Sequence, residues 1–334
     1  MYKIVYLSII ASCYSKTNVL NIFMTGDWGG PRQNLSEDAT VPAQNQYGYS
    51  ISHSMNILAE EIAPDSILFL GDNIYAAGVQ NVVDERFNDT YLSTFERSNL
   101  KNIPMYAIAG NHEYNRNVSA LIEYSKIDPT GRWNYPDYWY SISYLEGRVL
   151  QLMIDTLALT GEKPWIYDYD YRTEEDWSDK EKPEYEWIIE TLESNPQAEV
   201  VIFSTHYPMY SAGKYGSDEE LYSKLGPILE KYGVSGYFSG HDHISEHTTS
   251  NYNGPSFTDF FVIGQGKKPD SKSYVGNCLH CDLVWWWDYP PNCLGAWGLL
   301  QVFEGDQGKL HPEFSFVDAQ TNRKIYKVEL KSRK

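Results

Sequence analysis

The chain has 334 residues, of which 42% are hydrophobic, 15% aromatic and 22% charged, and its 45 acidic and 27 basic side chains give a net charge of −18. This apolar content supports a sizeable core and excludes a mostly disordered chain. Nucleic acids and anionic membrane surfaces would repel such an acidic protein, because no basic stripe offsets its field. If its substrate is also an anion, something other than lysine and arginine must attract it.

The N-terminus reads MYKIVYLSIIASCYSK, a lysine and an apolar run followed by small residues. This pattern is typical of a secretory signal, which we place over residues 1–15. The alternative is a buried first strand, but a better strand begins at Ile22. Sequons at Asn34, Asn88 and Asn117 fit a secreted glycoprotein. No other stretch is apolar over the roughly 18 residues that a spanning helix needs, so we expect no membrane anchor.

Apolar runs predict strands at residues 22–28, 66–72, 104–111, 149–156, 200–206 and 236–241. Amphipathic spacing between these runs predicts helices at residues 51–62, 185–192 and 221–229. After about residue 255 the pattern predicts strands alone, at residues 259–263, 296–303, 312–317 and 325–330. This order indicates one α/β domain over residues 16–334, with two packed sheets flanked by helices.

Two segments read as long insertions. Residues 161–186 hold ten acidic and four basic side chains, a net charge of −6. Residues 267–293 hold Trp285–Trp287, which could border a substrate pocket or pack on a sheet edge, and three cysteines. Cys278, Cys281 and Cys293, with His280, allow a zinc site, but in a secreted protein a disulfide between two of the three is favoured, with the pairing left open.

Five polar clusters lie at the C-terminal ends of predicted strands, where open α/β sheets place their sites: residues 26–30, 71–75, 110–113, 205–208 and 240–243. Each cluster alone is weak, because a Gly-Asp pair after a strand is usually a turn. Together they supply carboxylates, an amide, imidazoles and a phenol, a mixed oxygen and nitrogen ligand set without thiolate. Asp72 has two oxygens and can bridge two cations, which suits a two-metal hydrolytic centre.

This ordered set resembles the calcineurin-like metallophosphoesterases, and with Tyr75 it is similar to the purple acid phosphatases, above all the small animal-type tartrate-resistant enzymes. The runs that carry the resemblance are TGDWGG, LGDNIYAAGVQNVVDERF, AGNHEYNRNVSALIEYSKI, THYP and YGVSGYFSGHDH. The short GDxG and GHxH pieces are shared by many phosphoesterases, whereas GDxxY and the long runs are narrower. The resemblance implies two packed mixed β-sheets in a four-layer αββα sandwich.

The resemblance also implies the ligands of a binuclear centre. A ferric site would be held by Asp27, Tyr75 and His243. A divalent site for Fe(II), Zn(II) or Mn(II) would be held by Asn111, His206 and His241, with Asp72 bridging the two ions. Formal charge independently favours this assignment: two carboxylates, a phenolate and a hydroxide carry four negative charges, and Fe(III) with a divalent ion carries five positive ones. The centre then keeps a net positive charge and accepts phosphate.

The activity that the resemblance implies is that of an acid phosphatase, which hydrolyses phosphate monoesters by attack of a metal-bound hydroxide. His112 matches the phosphate-contacting histidine of the family, and we expect it to stabilise the phosphoryl group or protonate the leaving oxygen. The alternative role for His112 is to support a ligand. We expect a monomer that acts on small phosphomonoesters or phosphoproteins in a secreted, lysosomal or vacuolar setting.

Two positions depart from the animal enzymes. Tyr215, beside Lys214, stands where they have a second active-site histidine, and Tyr114 follows the GNHE run where many have histidine. We therefore expect a preference for activated esters or a shifted pH optimum. The acidic segment 161–186 aligns roughly with the regulatory loop of the family, so we expect proteolysis there to raise activity, the alternative being a solvated loop without effect.

Two other functions are compatible with the fold. Some apicomplexan membrane-anchoring proteins resemble this family but have lost metal ligands and carry a C-terminal spanning helix. Here all seven ligand types are present, and the tail reads KVELKSRK. The other alternative is a phosphodiesterase acting on a small substrate at the same metals. His247 and His53 are interpreted as structural.

Overall fold

The computed structural model describes residues 17–30, 46–161, 178–252, 254–270 and 278–333, and for residues 178–182 their backbone only. The predicted signal over residues 1–15, the sequon at Asn34 and most of the acidic segment lie outside this part of the chain. Among the described helices, none combines the length and apolar character needed to cross a membrane.

Within the described residues, the first sheet has seven strands in the order β14-β13-β12-β1-β2-β3-β4. Strands β1 (Thr17–Thr25), β2 (Ser66–Leu70) and β3 (Met105–Ile108) run parallel to one another and end at the same edge. The other members are β4 (Trp133–Asn134), β12 (Ala296–Glu304), β13 (Leu310–Asp318) and β14 (Arg323–Glu329). Strands from the N-terminal part of the chain (β1–β4) and from its C-terminal part (β12–β14) thus form one sheet.

The second sheet, in the part of the chain that the structure describes, also has seven strands, in the order β11-β9-β10-β8-β7-β6-β5. Its parallel centre is made of β6 (Val149–Met153), β7 (Val200–Ser204), β8 (Gly236–Ser239) and β10 (Asp259–Ile263). Antiparallel strands complete the two sides: β5 (Tyr140–Tyr144), β9 (Ser245–Ser250) and β11 (Cys281–Trp286). The prediction of two mixed sheets is confirmed.

Helices accompany both sheets. They are α1 (Gln46–Leu58), α2 (Ser93–Phe95), α3 (Val118–Tyr124), α4 (Thr156–Thr160), α5 (Ser178–Ser194) and α6 (Gly226–Tyr232). Asn117 and Asp155 cap α3 and α4, because each side chain accepts a backbone N–H of the first turn. Wider helical turns at Phe87–Leu92 and Leu221–Leu225 precede α2 and α6.

Aromatic side chains join the two sheets. The ring centroid of Phe314 in β13 lies 4.3 Å from that of Phe261 in β10 and 5.1 Å from that of Phe238 in β8. Trp285 in β11 stacks on Phe316 and Tyr326 of the first sheet, with centroids 5.1 and 4.6 Å away. These contacts hold the two sheets face to face and bring their strand ends to a common edge.

The interpretation of residues 267–293 as one long loop was wrong, because Cys281–Trp286 forms an edge strand that pairs with β9. Trp285 of this strand packs on Phe316 and Tyr326 of the first sheet, which favours the packing alternative over a pocket border for this residue. Cys278 and Cys281 are joined by a disulfide, which confirms the disulfide interpretation over the zinc site, and Cys293 is buried outside that bond.

Candidate metal centre

The five polar clusters meet where the parallel strands of both sheets end. Residues after β1, β2 and β3 come from the first sheet, and residues after β7 and β8 come from the second. Backbone hydrogen bonds connect the loops directly: Gly26 N–H donates to Ile263 at 2.9 Å, Asp27 N–H to Gly71 at 3.1 Å and Gly240 N–H to His206 at 3.0 Å. The sheet edges therefore fix the relative positions of these side chains.

Asp27, Tyr75 and His243 form one group of neighbours. The phenol Oη of Tyr75 lies 2.8 Å from Asp27 Oδ1 and 3.4 Å from His243 Nε2. The same imidazole nitrogen lies 3.5 Å from Asp27 Oδ1. Three donor atoms of different type thus converge on one point, and Asp27 is fully buried there.

Asn111, His206 and His241 form a second group. Asn111 Oδ1 lies 3.0 Å from His206 Nε2 and 3.0 Å from His241 Nδ1. His206 Nδ1 lies 2.8 Å from the carbonyl oxygen of Leu70 and donates to it, so its Nε2 lone pair faces the group. The amide oxygen and two imidazole nitrogens are again within reach of a single ion.

Asp72 lies between the two groups. Its Oδ1 is 3.4 Å from His206 Nε2, and one donor atom each of Asp27, Asp72 and His206 lies within 4.8 Å of the others. The backbone N–H of His112 donates to Asp72 Oδ1 at 3.0 Å, and His112 Nε2 lies 3.7 Å from Asp72 Oδ2. The structure therefore brings all seven predicted ligands together and places His112 at their border.

At the centre, three residues adopt backbone conformations that are rare for residues other than glycine. Asp27, Asp72 and His241 have φ of 61°, 50° and 69°. Such left-handed positions cluster at functional sites, where surrounding contacts hold them in place. Neighbouring glycines leave the necessary space, since a Cβ on Gly110 would lie 2.3 Å from Asp72 Oδ1 and one on Gly240 would lie 2.6 Å from Asp27 Oδ2.

Burial and neighbouring charges shift the ionisation of the cluster. Burial, with the carboxylates of Asp27 and Asp72, raises the pKa of Tyr75 well above its usual range. Burial also lowers the pKa of His241, helped by nearby His206, so this imidazole is neutral and able to act as a ligand. For Asp72, burial acts to raise the pKa, but the neighbouring histidines outweigh it and keep the carboxyl ionised.

The residues suit cations. Among the described residues, only histidines lie within ion-pair distance of the buried carboxylates of Asp27 and Asp72. Buried carboxylates are costly unless a positive charge is close, and the observed ring of oxygen and nitrogen donors is a usual metal environment. A buried phenol held protonated beside two carboxylates becomes a phenolate when a strongly acidic cation binds it.

The sequence interpretation missed the support of Glu113. This fully buried carboxylate accepts N–H bonds from Gly110 at 2.6 Å, Asp72 at 2.9 Å and Ile74 at 2.9 Å. It therefore ties the loops after β2 and β3 together through their backbone amides. Its position directly after His112 gave it the appearance of another member of the polar cluster, and sequence offers no signal for the backbone contacts.

The two departures from the animal enzymes lie in different surroundings. Tyr215 stacks on His241 with ring centroids 4.3 Å apart and is 56% exposed, so it forms a rim of the centre. Lys214 Nζ lies 3.2 Å from the Tyr215 hydroxyl. Tyr114 is buried and donates a hydrogen bond to Asp155. Tyr215 therefore contacts a predicted ligand directly.

His247 is structural, as predicted. It is buried in β9, with Nδ1 2.7 Å from the Tyr326 hydroxyl and Nε2 3.0 Å from Asp259 Oδ1. These contacts join β9 to β10 and to the first sheet.

Comparison with known proteins now places this fold and site in a family. The model of the calcineurin-like phosphoesterases matches residues 20–245. The chain belongs to this family. This phosphoesterase is 32% identical to the tartrate-resistant acid phosphatase type 5 of Rattus norvegicus, over 72% of each chain. It is 27% identical to purple acid phosphatase 7 of Arabidopsis thaliana, over 75% of this chain and 70% of the plant protein.

A solved structure shares the fold of this phosphoesterase. The protein described as "GAP50 the anchor in the inner membrane complex of Plasmodium" superposes with a TM-score of 0.67 at 18% identity, covering 94% of this chain and 89% of that one. At this identity the likeness establishes the fold alone, and function has to be argued from the site.

Proposed function

We propose that this calcineurin-like phosphoesterase is a binuclear-metal acid phosphatase that hydrolyses phosphate monoesters. The observation that carries the proposal is the convergence of two three-residue donor groups on either side of Asp72. Similarity to acid phosphatases of mammals and plants over about 70% of the chain supports the same reaction. The separation into two groups is what a two-metal hydrolase requires.

The assignment of ions follows the chemistry of each group. Asp27, Tyr75 and His243 are proposed to hold Fe(III), because a buried phenol ionises beside a hard, strongly acidic cation. Asn111, His206 and His241 are proposed to hold a divalent ion, since two imidazoles and an amide oxygen add no negative charge. Asp72 is proposed to bridge the two ions. The neutral set does not select among Fe(II), Zn(II) and Mn(II).

The described residues prepare the site for phosphoryl transfer. Two bound ions would polarise the ester and lower the pKa of a bound water. His112 Nδ1 lies 2.5 Å from the carbonyl oxygen of Ala76 and donates to it, which leaves Nε2 towards Asp72. When doubly protonated, this ring presents Nε2–H to the phosphoryl or leaving oxygen. Glu113 holds the surrounding loops in register throughout.

We further propose a location, a substrate class and an oligomeric state for this enzyme. The sequons and the N-terminal pattern support a secreted glycoprotein or a lysosomal or vacuolar one. An acidic location also suits a chain of net charge −18, because partial protonation of carboxylates lessens self-repulsion. The substrates proposed are small phosphomonoesters or phosphoproteins, and the enzyme is proposed to be a monomer.

The test is hydrolysis of an aryl phosphate monoester and of the matching diester by metal-loaded protein at acid pH. We expect turnover of the monoester, with Asp72→Asn slower by on the order of a hundredfold to a thousandfold. Asp306→Asn, an exposed position in the β12–β13 turn, serves as the control and should leave the rate unchanged. A loaded protein without hydrolysis would favour a non-catalytic scaffold, and faster diester turnover would favour a phosphodiesterase.

A further inference from the structure

A lysine that the metal-centre assignment does not use lies beside the phenol of Tyr75. Lys267 follows β10, which runs parallel to β8 and ends at the same sheet edge as the ligand loops. Its segment is packed tightly there, because a Cβ on Gly266 would lie 2.2 Å from the Gly26 carbonyl oxygen and one on Gly264 would lie 1.9 Å from that of Asp242. The position of Lys267 is therefore fixed by the backbone.

The ammonium group of Lys267 faces the centre without an ion-pair partner. Nζ lies 3.7 Å from the ring centroid of Tyr75, and the residue is half-buried. Among the described residues, no carboxylate forms an ion pair with it and no acceptor receives a hydrogen bond from it. The negative charges of Asp72, Asp27 and Asp270 act on it electrostatically. A lysine stem commonly lies on an apolar face while its charged head stays available.

We propose that Lys267 is a substrate-binding residue of this centre, whose ammonium group contacts a terminal phosphoryl oxygen and favours dianionic monoesters over monoanionic diesters. The inference rests on the proposed phosphatase function and specifies its substrate class. Two donors border the same phenol, because the ring of His112 also lies 4.4 Å from that of Tyr75. A phosphoryl group seated beside Tyr75 would thus meet a cation on this side as well as the bound ions.

A cation at the position of Lys267 matters for substrate binding because the chain as a whole is strongly acidic. With a net charge of −18, the long-range field of the protein opposes an approaching dianion. A charge-assisted hydrogen bond from a partly desolvated ammonium group is stronger than one between neutral groups. It acts at short range, where salt screens the attraction little. The alternative is that Lys267 only balances the carboxylates of Asp27 and Asp72.

The experiment measures binding of inorganic phosphate to metal-loaded protein by calorimetry, together with metal content. Lys267→Met keeps the stem over Tyr75 and removes the charge, so we expect Kd for phosphate to rise by about tenfold to a hundredfold with metal content unchanged. Lys267→Arg should stay within about fivefold of wild type, since it keeps a cation. Lys268→Met, an exposed neighbouring lysine, is the matched control and should not change Kd.

Other outcomes separate this inference from the proposed function. A Lys267→Met protein that carries its metals and binds phosphate as wild type does would overturn the role of Lys267, and loss of metal would show that it only balances the carboxylates. If Lys267→Met does not fold, Lys267→Gln supplies the same comparison. Wild-type protein that binds phosphate but hydrolyses no monoester would refute the phosphatase function while still testing Lys267, and wild-type protein that binds no phosphate overturns both.

Discussion

At the scale of single residues, hydrogen bonds decide which atom of each side chain faces the centre. The Leu70 carbonyl takes the Nδ1 proton of His206, and the Ala76 carbonyl takes that of His112. In both rings the opposite nitrogen, Nε2, is left towards Asp72. The two histidines differ in exposure, because the His206 side chain is fully buried while 18% of that of His112 is exposed. His206 is thus suited to a buried ion and His112 to an entering substrate.

His112 carries the first residue-scale prediction. We expect His112→Gln to lower kcat by about two orders of magnitude, because the variant keeps a polar side chain but cannot deliver a proton. Metal content should remain that of wild type. His53→Gln, an exposed histidine of α1, is the control. Steady-state kinetics beside elemental analysis decide the case, and a loss of metal from His112→Gln would show that the histidine supports a ligand instead.

The second prediction at this scale concerns Tyr215. A phenol is in general a weaker acid than an imidazolium, so a tyrosine protonates a poor leaving group less readily than a histidine does. We expect wild type to favour an aryl phosphate over a serine phosphate, and Tyr215→His to raise kcat/KM for the serine ester by about tenfold while changing the aryl ester little. Tyr215→Phe keeps the stacked ring and removes the hydroxyl, so it separates the contributions of the two to catalysis. Equal wild-type rates on both esters would contradict this account.

At the scale of elements, the segment that carries Tyr215 is anchored by acidic side chains of the second sheet. Asp242 Oδ2 accepts the Ser211 hydroxyl at 2.5 Å, and Asp242 Oδ1 accepts the Tyr215 N–H at 3.2 Å. Glu246, in β9, accepts the Ala212 N–H at 3.1 Å. Because Glu246 and Asp242 are both buried, charge on one disfavours charge on the other.

This anchoring predicts how stability depends on pH. Burial, with the nearby charge of Asp242, raises the pKa of Glu246 to about 8. Between the ordinary glutamate pKa of about 4.3 and that value, the unfolded chain has lost a proton that the folded chain keeps, so the free energy of unfolding falls as pH rises. We expect Glu246→Gln to lessen the loss between pH 5 and pH 8 by on the order of a few kcal/mol.

Urea unfolding of wild type and Glu246→Gln at both pH values measures the difference. Glu313→Gln is the control, because Glu313 lies in a strand of the first sheet and pairs with Lys327. In this variant we expect the decrease in the free energy of unfolding between pH 5 and pH 8 to remain as in wild type. Parallel slopes for wild type and Glu246→Gln would show that Glu246 is ionised in the folded protein.

The elements that were predicted and those that were missed differ in composition. Apolar runs such as Val200–Ser204 and Asp259–Ile263 were found within a few residues of their bounds. Ser245–Ser250 was missed because its sequence, SEHTTS, is polar although most of it is buried. Its side chains are covered by neighbouring strands and hydrogen bonds, which are tertiary features without a local signal. β11 was missed for a different reason, because its largely apolar sequence, CDLVWW, lies in a segment that was interpreted as a long loop.

The candidate site was more predictable than the fold around it. Parallel strand ends converge on one edge, so short polar runs after strands indicated a site there, and the resemblance to the purple acid phosphatases supplied the predicted ligand set. Glu113 and Lys267 escaped because their roles depend on backbone amides and on a loop from the last parallel strand. The GQGKKPD run that carries Lys267 reads locally as a turn.

At the scale of the whole molecule, a net charge of −18 is compatible with an anionic substrate if positive charge is concentrated at the site. The proposed ions supply most of the positive charge at the strand ends, and Lys267 adds a cation beside Tyr75. Nucleic acid remains an unfavourable partner for a chain of net charge −18. With these ions bound, the acidic protein would have a small cationic centre, which would suit compact phosphomonoesters.

The most direct test of the central claim is the metal content and visible spectrum of purified protein. We predict about two metal ions per chain, one of them iron, and a charge-transfer band that Tyr75→Phe abolishes or strongly shifts while Tyr215→Phe leaves it in place. Protein prepared with iron and zinc that binds neither, or that binds iron without a band sensitive to Tyr75, would contradict the assignment of Asp27, Tyr75 and His243 as a ferric site.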